Sequence, residues 1–279
     1  SKLFEAVMNC RILGHLTKNN FLNDSQYGFR SARSTVVALT VITHRVSQAL
    51  HDNLHARAVA LDISKAFDKV WHNRILLKLA SYGISGNVLG VIESFLSDRS
   101  LKVVINGQIS EAHKINAGVP QGSLLGPTLF LIFINDLPSE IVSSVNMYAD
   151  DTTVYKQTSK TYKDLNLASD LSSDLKEVVK WGKTWLVTFN SSKTKLLSFH
   201  HHRGTPSFPS VIMDETTLHE AKCLERHLGL KFTPDLKWNS YILSVAKDVG
   251  KMVGSFFRTR KFLTPAAVHY LYKSQIRLK

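Results

Sequence analysis

The sequence predicts an α+β fold, in which short antiparallel strands pack against amphipathic helices. Two observations lead to this class. Short β-type runs occur in pairs joined by tight turns, at 145–156 and on either side of Asn106-Gly107. Other segments carry apolar residues at helical spacing, as in Val36–Leu50. Strands joined by hairpins are antiparallel, and helices accompany them to cover an apolar face.

The hairpin at 145–156 carries two adjacent acids, Asp150 and Asp151, at or near its turn. Neighbouring carboxylates repel each other and raise each other's pKa unless a positive charge lies between them. Mg²⁺ relieves this repulsion, and it is usually held by one or two carboxylates together with substrate phosphates. An isolated Asp-Asp pair is more often a surface turn, so this interpretation depends on the rest of the chain.

The composition indicates a folded, strongly basic chain. Its 279 residues are 44% hydrophobic and 20% charged, with a net charge of +13 and a pI near 9.7. Such a charge favours a polyanionic partner, with nucleic acid first and a membrane surface second. No apolar run approaches the ~20 residues of a spanning helix. The two cysteines are far apart in sequence, which favours a reducing, intracellular setting.

Arg30 and Arg33 lie just before the helix that begins near Ser34 or Thr35. Guanidinium groups beside a helix N-terminus form a phosphate-binding corner, because the helix dipole favours the same anion. The alternative is a pair of solvated loop charges, and the motif alone is weak.

Asp62 ends an apolar strand at 57–62. An acid in this place is costly unless it is solvated, paired or metal-bound, so it is a candidate third carboxylate for the Asp150 site. We expect Asp68, six residues later, to begin or cap the following turn.

Residues 75–80 and 88–96 are predicted helices, and the hairpin around Asn106-Gly107 is predicted to project from the fold. The Gly- and Pro-rich loop 118–127 then precedes an apolar helix at 128–137. Its glycines allow a backbone to approach a ligand, and Gln121 offers a donor and an acceptor. An ordinary loop with Gln121 in water is the alternative.

The chain from residue 164 onward is predicted to contain a helix at 164–185, short strands at 187–199 and 211–238, and helices from 240 onward. The tryptophans of the first helix are assigned to the core. The apolar face predicted for the helix after 240 consists of Ile242, Val245, Val249, Met252 and Phe256. Residues 240–279 contain eight Lys or Arg and one acid, which favours a phosphate-backbone track over a merely solubilising face.

Acids on two strand ends, a Gly-rich loop, an arginine corner and a basic helical segment together fit phosphoryl transfer from a nucleotide to a growing strand. Two Mg²⁺ ions held by the acids would activate the primer 3′-hydroxyl and neutralise the triphosphate. The protein itself would supply positioning and charge.

Six stretches carry a resemblance to a known family. They are Gln26–Thr35 (QYGFRSARST), Leu61–His72 (LDISKAFDKVWH), Gly118–Pro138 (GVPQGSLLGPTLFLIFINDLP), Tyr148–Asp151 (YADD), Asn190–Phe199 (NSSKTKLLSF) and His227–Trp238 (HLGLKFTPDLKW). In content and order they resemble the reverse-transcriptase domain of non-LTR (LINE-type) retrotransposons, of the jockey-like or CR1-like branch. The last five correspond to that family's motifs A to E.

This resemblance implies a right-hand polymerase fold with partial fingers, a palm built on a small antiparallel sheet backed by helices, and a partial thumb. The implied boundaries are partial fingers at 1–57, palm with motif A at 58–74, a fingers insertion with its hairpin at 75–117, palm with motifs B to E at 118–234, and the start of a basic helical thumb at 235–279. Because the chain starts at Ser1 and stops within a helix-like pattern, we expect it to be part of a longer protein.

The resemblance also implies roles for single residues. Asp62, Asp150 and Asp151 would be the catalytic, metal-binding acids, and the Phe67 ring would exclude a ribose 2′-hydroxyl. The implied nucleotide-binding residues are Arg30, Arg33, Phe67, Gln121, Gly122, Tyr148, Ala149 and Lys193, with Lys195 as a rival of Lys193. The implied template- or primer-binding residues are Gly229, Lys247, Lys251, Arg258, Arg260 and Lys261.

The function implied is RNA-directed DNA polymerase activity. The enzyme would copy an RNA template and extend a DNA primer or nicked target DNA with dNTPs. Two Mg²⁺ ions are the expected cofactor, with Mn²⁺ as a substitute. Target-primed synthesis implies a nuclear location with a cytoplasmic ribonucleoprotein stage. One alternative is a catalytically inactive nucleic-acid-binding fragment of a retroelement. A second, an RNA polymerase on the same palm, is disfavoured by Phe67.

Overall fold

The computed structural model describes residues 2–157, 165–201 and 208–277, and its elements alternate between helices and short strands. The helices are α1 Lys2–Lys18, α2 Thr35–His51, α3 His72–Ser81, α4 Gly86–Leu96, α5 Leu125–Ile134, α6 Leu165–Trp185, α7 Asn239–Thr259 and α8 Pro265–Leu271. The strands are β1 Ala56–Leu61, β2 Ser100–Leu101, β3 Val104–Ile105, β4 Gln108–Ile109, β5 His113–Lys114, β6 Ser144–Tyr148, β7 Asp151–Gln157, β8 Lys195–Phe199, β9 Ile212–Met213, β10 Thr216–Thr217, β11 Leu224–His227 and β12 Leu230–Phe232.

A four-stranded sheet in the order β6-β7-β1-β8 is the centre of the fold, and all of its neighbouring strands are antiparallel. The predicted strand at 57–62 is β1, and the predicted hairpin at 145–156 is β6 and β7. β1 lies between β7 and β8 and is buried along most of its length. The sheet therefore brings the end of β1 beside the turn of the β6-β7 hairpin.

Helices α5 and α6 build the core beside this sheet. α5 is apolar on all sides and almost entirely buried, which is the behaviour of a helix enclosed by protein. It begins and ends three residues earlier than predicted, because the chain turns into a short 3₁₀ segment at Leu137–Glu140. Trp181 and Trp185 of α6 pack against Phe133, which confirms their assignment to the core. Asp164, the predicted first residue of α6, lies outside the described residues.

The segment around Asn106-Gly107 forms the predicted projecting hairpin. β3 pairs with β4, β2 pairs with β5, and every residue from 100 to 114 is exposed. Asn106 and Gly107 both have positive φ angles, 50° and 80°, which is the backbone geometry of a two-residue hairpin turn.

The chain divides into two compact units, residues 1–221 and 222–279. The predicted palm–thumb boundary at 234/235 stays a prediction. In the second unit, Val245, Val249, Met252 and Phe256 are half-buried along one face of α7, as predicted. Ile242 is 59% exposed, so its assignment to this face was wrong. The half-buried face instead begins at Tyr241, whose hydroxyl donates to the Gly229 carbonyl at 3.2 Å.

Among the described residues, no helix combines the length and the apolar character that a membrane crossing requires.

Lys78 of α3 is a buried cation inside the first unit. Its ammonium lies 2.7 Å from an Asp136 carboxylate oxygen and 3.9 Å from the centre of the Trp185 ring. The Trp181 indole N–H donates to the same Asp136 oxygen at 2.8 Å. Burial lowers the pKa of Lys78 to about 8, and the Asp136 charge opposes part of that shift.

This shift predicts how stability depends on pH. Between about pH 8 and the unfolded value of 10.5 the unfolded chain binds more protons at Lys78, so this group makes the folded state more stable as pH rises. Relative to Lys78→Met, the wild type should gain on the order of 2–3 kcal/mol in unfolding free energy between pH 7 and pH 10. Urea unfolding at both pH values measures this. Lys102→Met, at an exposed site, is the matched control, and a pH-independent difference between wild type and Lys78→Met would contradict the prediction.

Candidate active site

The sheet register brings the three predicted acids to one edge. Leu61 of β1 pairs with Thr152 of β7, so Asp62, the next residue, lies level with Asp151. Tyr148 pairs with Asp151 across the β6-β7 hairpin, which leaves Ala149 and Asp150 as its two-residue turn. Acids separated by some ninety residues in sequence thus meet because β1 and β7 are antiparallel neighbours.

The carboxylates at this edge of the sheet are not neutralised by positively charged side chains of the described residues. Asp150 is half-buried, and desolvation followed by the Asp62 charge raises its pKa. Asp151 is an exposed residue, and desolvation of its carboxyl group, followed by the charges of Asp150 and Asp62, raises its pKa as well. Within the described residues none of the three acids has an ion-pair partner. The site therefore has the charge that a cation would neutralise.

The donor set fits a hard divalent cation, since carboxylate oxygens are the ligands that Mg²⁺ prefers. In the part of the chain that the structure describes, no group of three or more His, Cys, Asp or Glu side chains converges into a ready-made metal cage. Mg²⁺ sites of enzymes that act on phosphates usually consist of one or two carboxylates plus substrate oxygens and water. An open carboxylate edge of this kind is compatible with such a site.

Backbone hydrogen bonds join the loop that begins at Gly118 to the segment 67–70, which follows Asp62 in the chain. The Val119 N–H donates to the Phe67 carbonyl at 3.0 Å, and the Gly118 N–H donates to the Val70 carbonyl at 2.9 Å. Gly118 has a φ of 92°, and a Cβ there would lie 3.2 Å from the Asp68 backbone. These contacts place the loop that carries Gln121 directly against the segment that follows Asp62.

Within this joint, Asp68 is the third residue of the 3₁₀ turn Ala66–Lys69, so the prediction that it begins or caps the turn was wrong. Its carboxylate accepts a long hydrogen bond from the Gln121 amide at 3.4 Å. Gly122 has a φ of 77°, and a Cβ there would meet nothing within 4 Å. A side chain at Gly122 would thus meet no neighbouring protein atom, and the nucleotide contact of Gly122 stays a prediction.

Phe67 lies over the buried α5 helix. Its ring stacks on Phe130 with a centroid distance of 4.5 Å, and the Phe29 ring lies nearly perpendicular to it with a centroid distance of 6.3 Å. Phe67 is half-buried and Phe29 is 45% exposed, so together they form an aromatic wall that is partly open to solvent.

Arg30 and Arg33 are held by the loop that precedes them. Arg30 donates to the Asn23 carbonyl at 2.7 Å, and Arg33 forms an ion pair with Asp24 at 2.7 Å. Both guanidinium groups also donate to the Gln26 carbonyl, at 3.3 and 3.2 Å. They thus brace this loop, and their contact with a triphosphate stays a prediction.

Lys193 and Lys195 lie on the segment that leads into β8, and this segment is hydrogen-bonded to the backbone of Asp62 and β1. The Asn190 N–H donates to the Asp62 carbonyl at 2.9 Å, and Lys195 pairs with Ala60 in the β1-β8 ladder. Both lysine side chains are exposed, so neither is distinguished as the phosphate contact.

The second unit carries the predicted template- and primer-binding residues. Lys247, Lys251 and Arg258 are exposed and spaced by four and seven residues, so they share the side of α7 opposite its half-buried face. Arg260 lies over the Phe257 ring at 4.6 Å, and Lys261 lies over Phe262 at 4.9 Å. One exposed side of α7 thus carries three basic residues, Lys247, Lys251 and Arg258.

Comparison with known proteins decides the family. The model of the family described as "Reverse transcriptase (RNA-dependent DNA polymerase)" matches residues 1–241. The chain belongs to the reverse transcriptase family.

Curated relatives confirm the predicted resemblance to non-LTR retrotransposons. The reverse transcriptase domain is 32% identical over 252 residues to the probable RNA-directed DNA polymerase from transposon BS of Drosophila melanogaster, covering 85% of this chain and 27% of that protein. It is 30% identical over 270 residues to the RNA-directed DNA polymerase from mobile element jockey of Drosophila funebris, covering 93% of this chain and 28% of that protein. This chain spans about a quarter of the length of these relatives.

Solved structures confirm the predicted right-hand polymerase fold. Apo telomerase from Candida tropicalis matches with a TM-score of 0.55 and 14% identity, covering 85% of this chain and 40% of that chain. A form truncated from the C-terminal domain matches with a TM-score of 0.53 and 15% identity, covering 85% and 45%. At these identities the likeness shows the fold alone.

Two residues of this reverse transcriptase site were not predicted. Gln26 is 1% exposed and its amide bonds to the backbone of Ala149, while the Phe29 ring lies nearly perpendicular to the Phe67 ring. Both lie in the segment that was interpreted through its two arginines. Gln26 is uncharged and belongs to no periodic apolar pattern, so nothing in the sequence marks it as part of the site. Only its contact with Ala149 in the structure identifies it.

Proposed function

We propose that this chain is the polymerase domain of an RNA-directed DNA polymerase, which transfers dNMP units to a primer 3′-hydroxyl on an RNA template. The observation that carries the proposal is the meeting of Asp62, Asp150 and Asp151 at one sheet edge with raised pKa values for the last two. Family membership supports the reaction class. The catalytic assignment of each acid is part of the proposal.

The residues act through position and charge. Asp62, Asp150 and Asp151 would hold Mg²⁺ or Mn²⁺, which when bound supplies Lewis-acid activation of the hydroxyl and charge neutralisation of the triphosphate. Phe67 would lie against the sugar, and the Gly122 backbone would face the nucleotide. Because the acids are fixed by a sheet, little reorganisation accompanies the reaction.

The partners proposed are an RNA template, a DNA primer or nicked target DNA, and dNTPs. Net charge of +13 and the basic side of α7 support a polyanionic partner. The named transposon relatives support target-primed synthesis, which would take place in the nucleus after a cytoplasmic ribonucleoprotein stage.

Primer extension by the purified chain tests this function. We expect Mg²⁺-dependent addition of dNTPs to a DNA primer on an RNA template, and template–primer affinity that falls by roughly tenfold or more between 50 and 200 mM salt. A chain that binds with this salt dependence and adds no nucleotide, with Mg²⁺ or with Mn²⁺, would be a catalytically inactive nucleic-acid-binding fragment. A chain that neither binds nor extends would contradict both functions.

A further inference from the structure

The Gln26 side chain lies against the turn that carries Asp150. Its amide oxygen accepts from the Ala149 N–H at 2.9 Å and from the Gly28 N–H at 2.8 Å. Its amide nitrogen lies 3.4 Å from the Ala149 carbonyl oxygen. One buried side chain thus contacts both backbone polar groups of the residue before Asp150, across 123 positions of sequence. We call this set of contacts the Gln26 clamp.

The main chain on either side of Gln26 is also joined to β6. Gln26 forms a parallel bridge with Met147, in which the Met147 N–H donates to Ser25 and the Tyr27 N–H donates to Met147, both at 2.8 Å. Gly28 lies so close to the turn that a Cβ there would be 2.4 Å from the Ala149 nitrogen. Such a distance is possible only for glycine, so residues 25–28 and the turn are in direct backbone contact.

The loop of the clamp is itself fixed. Arg30 and Arg33 both donate to the Gln26 carbonyl, and the Asn23 N–H donates to the Asn135 side chain at 2.8 Å. Asn135 in turn donates to the Phe21 carbonyl at 2.7 Å. The backbone of the loop that carries Gln26 is therefore tied to Arg30, to Arg33 and to Asn135 at the end of α5.

The residue that the clamp holds adopts an unfavourable backbone. Ala149 has a φ of 58°, a left-handed conformation that non-glycine residues adopt only where their surroundings determine it. Bonds to both its N–H and its carbonyl select this conformation. Because Ala149 and Asp150 are the only two residues of the turn, the backbone at Ala149 sets where the Asp150 carboxylate projects.

We propose that Gln26 is a positioning residue of the polymerase site, which holds Ala149 in its left-handed conformation and so directs the Asp150 carboxylate toward Asp62. The proposal rests on the proposed function, in which these acids hold the divalent cation. Gln26 itself touches neither substrate nor metal. Its removal acts on the reaction through the geometry of the acid pair, as loss of an outer-shell partner does at other metal sites.

Direct metal binding by the chain without nucleic acid tests the proposal. Mn²⁺ is the probe, and its bound fraction is followed by electron paramagnetic resonance. We expect Gln26→Met, which keeps the length and removes both polar atoms, to weaken Mn²⁺ binding by roughly 10–100-fold. Gln48→Met, an equal change at an exposed position of α2, should bind Mn²⁺ as the wild type does. Gly28→Ala, which forces the turn away, should match Gln26→Met.

A control variant separates the loss of the clamp from a general loss of stability, which by itself should not weaken Mn²⁺ binding. Leu175→Ala removes a fully buried side chain of α6 and leaves the clamp intact, so a folded Leu175→Ala chain should keep wild-type Mn²⁺ affinity. Wild-type affinity in folded Gln26→Met or Gly28→Ala, or an equal loss in Leu175→Ala, would overturn the role of Gln26. If the wild type binds no Mn²⁺ at these acids, which Asp150→Asn identifies, either alone or with a dideoxy-terminated template–primer and dTTP added, the proposed function fails instead.

Discussion

Asp150→Asn is expected to reduce single-nucleotide incorporation by roughly a thousandfold while leaving template–primer binding intact. Losing a metal-binding carboxylate removes several kcal/mol of transition-state stabilisation, and each 1.4 kcal/mol corresponds to about tenfold in rate. The basic side of the second unit, which would bind the nucleic acid, is unchanged. Quenched-flow incorporation with bound template–primer measures the rate, and Asp98→Asn, at an exposed loop position, is the matched control.

The same substitution should not weaken the metal-free fold. Because the pKa of Asp150 is raised in the folded state, stability is lost as pH rises from the unfolded value of 3.8 through the folded value. Asparagine cannot ionise, so Asp150→Asn should unfold at an equal or higher urea concentration than the wild type at pH 7 in EDTA. A clear loss of stability in EDTA would indicate that Asp150 is held by contacts other than those of a metal site.

Phe67→Ala is expected to raise ribonucleotide incorporation relative to deoxynucleotide incorporation by roughly 10–100-fold. In the proposed site the Phe67 ring would occupy the space that a ribose 2′-hydroxyl needs, and filling or emptying such a space changes discrimination by about 1–3 kcal/mol. The ratio of kcat/KM for rUTP and dTTP, measured with Mg²⁺ on the same template–primer, gives the effect. Phe67→Tyr keeps the ring and should keep the wild-type ratio.

Phe67 also contributes to the core through its stacking on Phe130 at 4.5 Å, so Phe67→Ala lowers stability as well as selectivity. The selectivity ratio separates the two effects, because loss of folded protein reduces both rates equally. An unchanged ratio in the folded variant would contradict the assignment of Phe67 to the sugar pocket.

The sheet and the approach of the acids could be predicted because they depend on local patterns. The turn at 149–150, the strand ending before Asp62 and the Asn106-Gly107 hairpin each carry their signal within a few residues, and the antiparallel register then brings the acids together. The metal-binding role of these acids was inferred from their chemistry, and the resemblance then implied which other residues face the nucleotide.

The contacts that hold the site were beyond prediction from local pattern. The Gln26 amide contacts Ala149, 123 positions away in sequence, and Asp136 pairs with Lys78, 58 positions away. No periodic pattern in the sequence indicates either partner. Ile242 shows the opposite error. Ile242 has helical spacing with Val245 and Val249, yet in α7 Tyr241 is half-buried and Ile242 is exposed. Helical spacing predicts an apolar face, but it does not specify which residues at the border of that face are covered by other parts of the protein.

The single-nucleotide incorporation rate, in wild type, Asp62→Asn, Asp150→Asn and the double variant, tests the proposed site most directly. Every protein is saturated with RNA template and DNA primer, and binding is measured in parallel. If the acids of the two strands act as one unit, each single variant loses roughly a thousandfold and the double variant little more. Incorporation at the wild-type rate by either single variant would show that the chemistry does not depend on the carboxylates that β1 and the β6-β7 hairpin bring together.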